Sequence, residues 1–125
     1  MSDAFTAVLS DEIKRASQRS GAEWVIPIEH LKQALQTAND NGIAVLGIEI
    51  LKLLDDGSGA KSYSFAVEGY SGYEIKYSAD WVGFVRDNNE RAKSYVDANR
   101  FGKGYGYILT SASSKEFQDL KVSNG

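Results

Sequence analysis

Asn41-Gly42 divides this sequence more sharply than any other pair of residues. Before it, Ile28, Leu31, Ala34, Leu35 and Ala38 recur at the spacing of one helix face. Pro27 suits the first turn of that helix, where its missing N–H removes no bond. After it, the run IAVLGIEILKLL extends from Ile43 to Leu54, and Ile48 and Ile50 favour a strand. Gly42 can take the left-handed conformation that ends a helix. A helix that stops on a glycine and turns at once into such a run has to bury both elements against one core. That requirement points to an α+β fold. Glu49 and Lys52 do not share one strand face, so a bulge or bend is expected near Gly47 or Leu51.

The remaining elements are read outward from this junction. Phe5, Val8, Leu9, Ile13 and Ala16 keep helical spacing and predict a first helix over residues 3–19, stopped at Ser20-Gly21. Residues 23–26 read as a short extended piece. Asp55-Asp56-Gly57-Ser58-Gly59 is a loop on composition. Residues 62–68 alternate, with Tyr63, Phe65 and Val67 on one face, and predict a half-buried strand hairpinned to the preceding one. Tyr70 to Tyr73 read as a turn, and Glu74 to Tyr77 as a third short strand. Ser78 or Asp80 caps a helix over 80–98 whose stripe includes Trp81, Phe84, Val85, Ala92, Tyr95 and Val96. Trp81, at the start of that stripe, is expected to be mostly buried. Residues 105–110 supply a last strand, followed by a weak helical patch around Phe117 and Leu120. The expected order is α-α-β-β-β-α-β, with a mostly antiparallel sheet and helices on one face.

Length fits one domain over residues 1–125. A chain of this size buries roughly two-thirds of its unfolded surface and folds without a metal or disulfide. The sequence contains no cysteine, which excludes a disulfide framework, a zinc-thiolate site and a thiol nucleophile. Neither a basic leader followed by an apolar segment nor an apolar stretch long enough for a bilayer is present, so a cytoplasmic protein with no membrane association is expected. The net charge is −3 and is unevenly spread: residues 1–39 carry −1, residues 40–90 carry −5 and residues 91–125 carry +3. A weakly acidic chain is a poor match for phosphate backbones, so no nucleic-acid partner is expected. The acidic middle suits a basic protein partner.

Residues that could carry chemistry are sparse. His30 is the single histidine, and the stretch Glu29-His30-Leu31-Lys32-Gln33 lacks the second histidine of a zinc-binding helix. Asp55 to Gly59 lacks the alternating ligands and closing glutamate of a calcium loop. The glycine-rich run Phe101 to Gly106 follows a helix and opens a strand, the reverse of a phosphate loop, and reads as a helix stop. No nucleophile elbow occurs. The expectation is no enzymatic activity, no cofactor and no metal. The alternative is a small enzyme, or a small-ligand-binding regulatory domain, built on a carboxylate pair or His30 brought together in space.

The run from Ile28 to Leu54, a helix ending Asn-Gly and feeding directly into I-A-V-L-G-I-E-I-L-K-L, resembles the immunity proteins of bacterial polymorphic toxin systems, in particular immunity protein family forty. Gly42-Ile43 and Leu46-Gly47 match the pattern of that family. Ile48 stands where the pattern has a second glycine, and Glu49 follows it. The resemblance implies a protein that binds and neutralises a cognate toxin domain and catalyses nothing.

Independently of that resemblance, a contact surface can be placed on the acidic middle of the chain. Tyr63, Tyr70, Tyr73, Tyr77 and Tyr95 lie within residues 63–95. Tyr70 and Tyr73 flank the expected turn, where a core does not require them, and tyrosine is enriched at interfaces. The expected partner-binding residues are therefore Asp55, Asp56, Glu68, Tyr70, Tyr73 and Glu74. A basic toxin domain would meet this face, and an exposed sheet edge would also support a homodimer.

Overall fold

A computed structural model describes residues 2–20, 23–55, 61–71, 80–98 and 101–123. The N-terminal region is not one helix but two, α1 (Asp3–Val8) and α2 (Asp11–Ala16). Two serines impose the break. The hydroxyl of Ser2 accepts from the Phe5 N–H at 2.9 Å, and that of Ser10 accepts from the Ile13 N–H at 3.2 Å, so each starts its own helix. Between them Leu9 is extended and turns into the core. The end of the expected helix is a strand, β1 (Gln18–Ser20), paired antiparallel with β2 (Glu23–Pro27). Arg19 stands opposite Trp24 there, with its guanidinium 4.5 Å from the indole ring centroid.

Helix α3 (Ile28–Asp40) buries Leu31, Ala34, Leu35 and Ala38, the face its spacing predicts. Pro27 occupies the capping position just before the first helical residue. Gly42 has φ 66°, the left-handed conformation that lets the chain leave the helix for β3 (Ala44–Asp55). β3 pairs antiparallel with β4 (Lys61–Ser71). Its register with β4 shifts between Ile50 and Leu51 and again between Leu51 and Leu53. Helix α4 (Trp81–Ala98), strand β5 (Tyr105–Ala112) and helix α5 (Ser114–Ser123) complete the chain. β3 also pairs with β5, with a shift between Val45 and Gly47, so the bulges fall at both places expected from Glu49 and Lys52.

The five strands lie in the order β1-β2-β5-β3-β4, with every adjacent pair antiparallel. The fold is α+β, in the element order α-α-β-β-α-β-β-α-β-α. The expected order lacked the N-terminal hairpin and α5, and its third strand, over 74–77, lies outside the described residues. The main core joins Phe5, Leu9 and Ile13 from α1, α2 and the link between them to Leu31 and Leu35, to Ile48 and Ile50 of β3, and to Tyr107 and Leu109 of β5. Ala92 and Val96 of α4 belong to the same core. A second cluster packs Phe84 and Val85 of α4 and Phe117 of α5 on Ala44, Leu46 and Ala112. Successive residues of β3 therefore divide between the two clusters, and α4 touches both sides of the start of that strand. Among the described residues no helix is long and apolar enough to cross a membrane.

Two expectations about burial are corrected. Trp81 is only partly buried: its ring stacks against Phe84 and Phe117, with centroids 5.3 and 5.7 Å away, and its Nε1–H donates to the Gly42 carbonyl at 2.8 Å. Placed at the first turn of α4, the indole closes over the helix–strand junction instead of entering the core. Val67, assigned to a half-buried strand face, is 51% exposed: the register passes from Ile50–Glu68 to Leu51–Ala66 and leaves Val67 in a bulge of the outermost strand.

Candidate functional site

β4 forms one margin of the sheet, and among the described residues no strand pairs with its outer flank. The strand runs past the predicted stop at Glu68 to Ser71, so Tyr70 is a strand residue opposite Ile48 and not part of a turn. The strand holds tightly to β3 at Gly69. A Cβ there would lie 2.6 Å from the Ile48 carbonyl oxygen and 3.3 Å from the Glu49 Cα. Only glycine permits that approach, and a glycine inside an alternating pattern reads as a breaker, which is why the sequence pattern ended too soon. Ala66, Val67, Glu68 and Gly69 are all exposed.

Of the six expected contact residues, the three that are described do not gather at one point. Glu68 and Tyr70 lie near one end of the hairpin, opposite Ile50 and Ile48. Asp55 is the last residue of β3, opposite Lys61 at the other end. Five to seven residue steps along β3 separate those ends by roughly 20 Å. Asp56, Tyr73 and Glu74 lie outside the described residues.

Glu68 also has an internal role that its sequence position does not reveal. Its carboxylate lies beside the Tyr95 hydroxyl of α4. Burial pushes the Tyr95 phenol up, and the negative charge and hydrogen bonding of Glu68 add to the rise. Glu68 thus sets its charge near the long helix as well as lining the exposed surface. Val67 projects into solvent beside it, 51% exposed.

Sequence reasoning missed two buried polar residues. Asn88 and Asn89, which lie outside the apolar stripe expected of the helix over 80–98, are 1% and 6% exposed. The Asn89 carboxamide accepts from the Val45 N–H at 2.8 Å and donates to the Ile43 carbonyl at 3.0 Å. β4 pairs with β3 only from Gly47 onward, so at Ile43 and Val45 the side chain of Asn89 stands where a neighbouring strand's backbone would. No signal in the sequence marked the two amides, because polar residues on a helix are mostly solvated. His30 is partly buried on α3. Among the described residues no three histidine or carboxylate side chains are grouped to hold a metal ion.

The chain matches no family model, and comparison with curated proteins and with solved structures finds no match.

Proposed function

We propose that this chain is an immunity-type binding protein that engages a cognate toxin domain along the outer edge of β4. The observation that supports the reading is the exposed run Ala66 to Gly69 on an 11-residue marginal strand whose outer flank pairs with no strand among the described residues. A marginal strand offers backbone N–H and C=O groups to a partner strand on either side of the bulge at Val67. Val67 supplies an apolar contact at its centre. Glu68 places a carboxylate beside it that would speed encounter with a basic domain and oppose acidic competitors. The resemblance of Ile28 to Leu54 to immunity proteins supplies the class of partner.

The test is co-expression with toxin domains encoded beside the gene, followed by binding kinetics on the purified pair. Val67→Lys and Ala66→Arg should keep native unfolding midpoints and weaken the complex by at least about tenfold, the effect of losing one contact worth over 1 kcal/mol. Wild-type affinity in both variants would remove the β4 edge from the interface. Failure of every neighbouring product to bind or be neutralised would remove the toxin reading. Concentration-dependent self-association that the same variants abolish would assign the edge to a homodimer.

A further inference from the structure

The helical side of the molecule carries a feature that the β4 edge does not use. Between α3 and α4 lies a groove of about 530 Å3, within the size range of small-ligand sites. Its lining is charged in one sense: Lys32 from α3 and Arg86 and Lys93 from α4, against the single carboxylate of Glu90. The surrounding chain is acidic, with a net charge of −3, so three cations in one concave surface run against its composition. Lys32 and Lys93 make no ion pair among the described residues, and the nearest acid to the Arg86 guanidinium is Asp87 beside it in sequence, at 3.3 Å. Lys32 and Lys93 thus keep unneutralised, exposed charges at the rim of the cleft, and Arg86 shares its charge with Asp87 alone.

The local geometry shows why the groove stays open. Ala34 and Ala38 of α3 and Ala92 of α4 are fully buried small residues, while the long polar side chains sit outside them at the rim. Leu35 and Asn89, each 6% exposed, form the floor. Asn89 donates to the Asn39 Oδ1 at 3.3 Å, which turns the Nδ2 donors of Asn39 away from that bond and leaves them for another acceptor. Gln33 adds a second carboxamide with no side-chain partner among the described residues, whereas the Nε2 of Gln36 is already bonded to Asp40 at 2.7 Å. Arg86 and Lys93, two helical turns apart on one stripe, stand about 10 Å apart along the axis.

The geometry points to this groove as a binding site for a small polyanion, a ligand carrying two or more phosphate or carboxylate groups. The separated cations favour a ligand long enough to reach both Arg86 and Lys93, with the amides of Asn39 and Gln33 donating to oxygens between them. Glu90 repels an anionic oxygen at its own position and faces a donor group of the ligand. The site lies on the helices and does not depend on what binds the edge of β4.

Titration of the intact chain with inorganic phosphate, tripolyphosphate and citrate, at fixed ionic strength, tests this by amide and guanidinium NMR shifts. Saturable shifts are expected at the side chains of Asn39, Gln33 and Arg86, with tripolyphosphate binding at least about tenfold more tightly than phosphate. Tripolyphosphate ahead of citrate assigns a phosphate ligand, and the reverse order a carboxylate one. Lys93→Glu should weaken binding by about tenfold or more, and Lys93→Gln, a milder change that preserves the helix, by less. Shifts spread equally over Arg19, Lys103 and Lys115, no saturation with any probe, or undiminished affinity in folded Lys93→Glu and Lys93→Gln would overturn the assignment.

Discussion

Asn89 does with one side chain what a strand would do with its backbone. Replacing it with alanine leaves the Val45 N–H and the Ile43 carbonyl without partners beneath a helix. Two buried groups lose their bonds, so Asn89→Ala should destabilise the fold by about 2–4 kcal/mol, read as a lowered urea midpoint at unchanged slope. Trp81 separates two contributions at the same junction. Trp81→Phe keeps an aromatic ring against Phe84 and Phe117 but loses the bond to the Gly42 carbonyl, and should cost about 1 kcal/mol. Trp81→Ala removes the ring as well and should cost about 3 kcal/mol, the low end for such truncations because the indole is part-exposed. Equal losses in the two variants would mean that the ring packing contributes nothing. Neither role was legible in the residues themselves. An asparagine on a helix is usually solvated, and only the position of β3 reveals that this one is not.

At the scale of elements, the helix–strand junction at Gly42 was the most legible part of the chain, because a positive-φ glycine, helical spacing before it and β-branched residues after it all agree. The first helix was misread because its apolar spacing continues through Leu9 while Ser10 interrupts it. A serine inside a periodic run is silent unless its capping bond is considered. A related signal lay unread at Ser113, whose three-residue spacing to Glu116 is that of a capping box. The Ser113 N–H donates to Glu116 Oε1 at 2.9 Å, and the Glu116 N–H donates to the Ser113 hydroxyl at 3.2 Å. The other carboxylate oxygen of Glu116 is 3.5 Å from the Ala4 N–H, which links α5 to the start of α1. Burial alone would raise the Glu116 carboxyl, but the bonds from Ser113, Ser2 and Ala4 outweigh it and hold the group below its ordinary value of 4.5. A carboxyl lowered in the folded state contributes stability that is complete above the unfolded value and is lost as pH falls through the folded one. Glu116→Gln should therefore flatten the decline in stability below pH 4.5 and lower stability at neutral pH. Parallel unfolding curves of the two proteins from pH 7 to pH 3 check this, and an unchanged acid limb in the variant would show that the carboxylate contributes no linkage.

For the molecule as a whole, the α+β class and the antiparallel sheet could be read from the sequence, and the placement of its outer strand could not. Strand order depends on which hairpin lies at the margin, and β5 inserts between β2 and β3 from far along the chain. The six residues expected to meet a partner were chosen by charge and by tyrosine content; of those described, Glu68 and Tyr70 lie on the marginal strand and Asp55 at the far end of its neighbour. The α3–α4 groove was invisible for the same reason, since Lys32 and Lys93 are 61 positions apart in the chain. The two surfaces should respond separately to mutation: Val67→Lys should leave tripolyphosphate binding unchanged, and Lys93→Glu should leave the affinity for a β4 partner unchanged. Loss of both in either variant would show that the surfaces are coupled through α4.

The bond from Val45 to Asn89 gives the fold an internal clock. Most amides of β3 are closed off by neighbouring strands, so they exchange with solvent when the sheet opens. The Val45 amide is held by a helix side chain, so its exchange follows the lifting of α4 from the strand. Deuterium uptake at that single amide, set against uptake at Ile48 or Ile50, would time the departure of the helix separately from the rupture of the sheet.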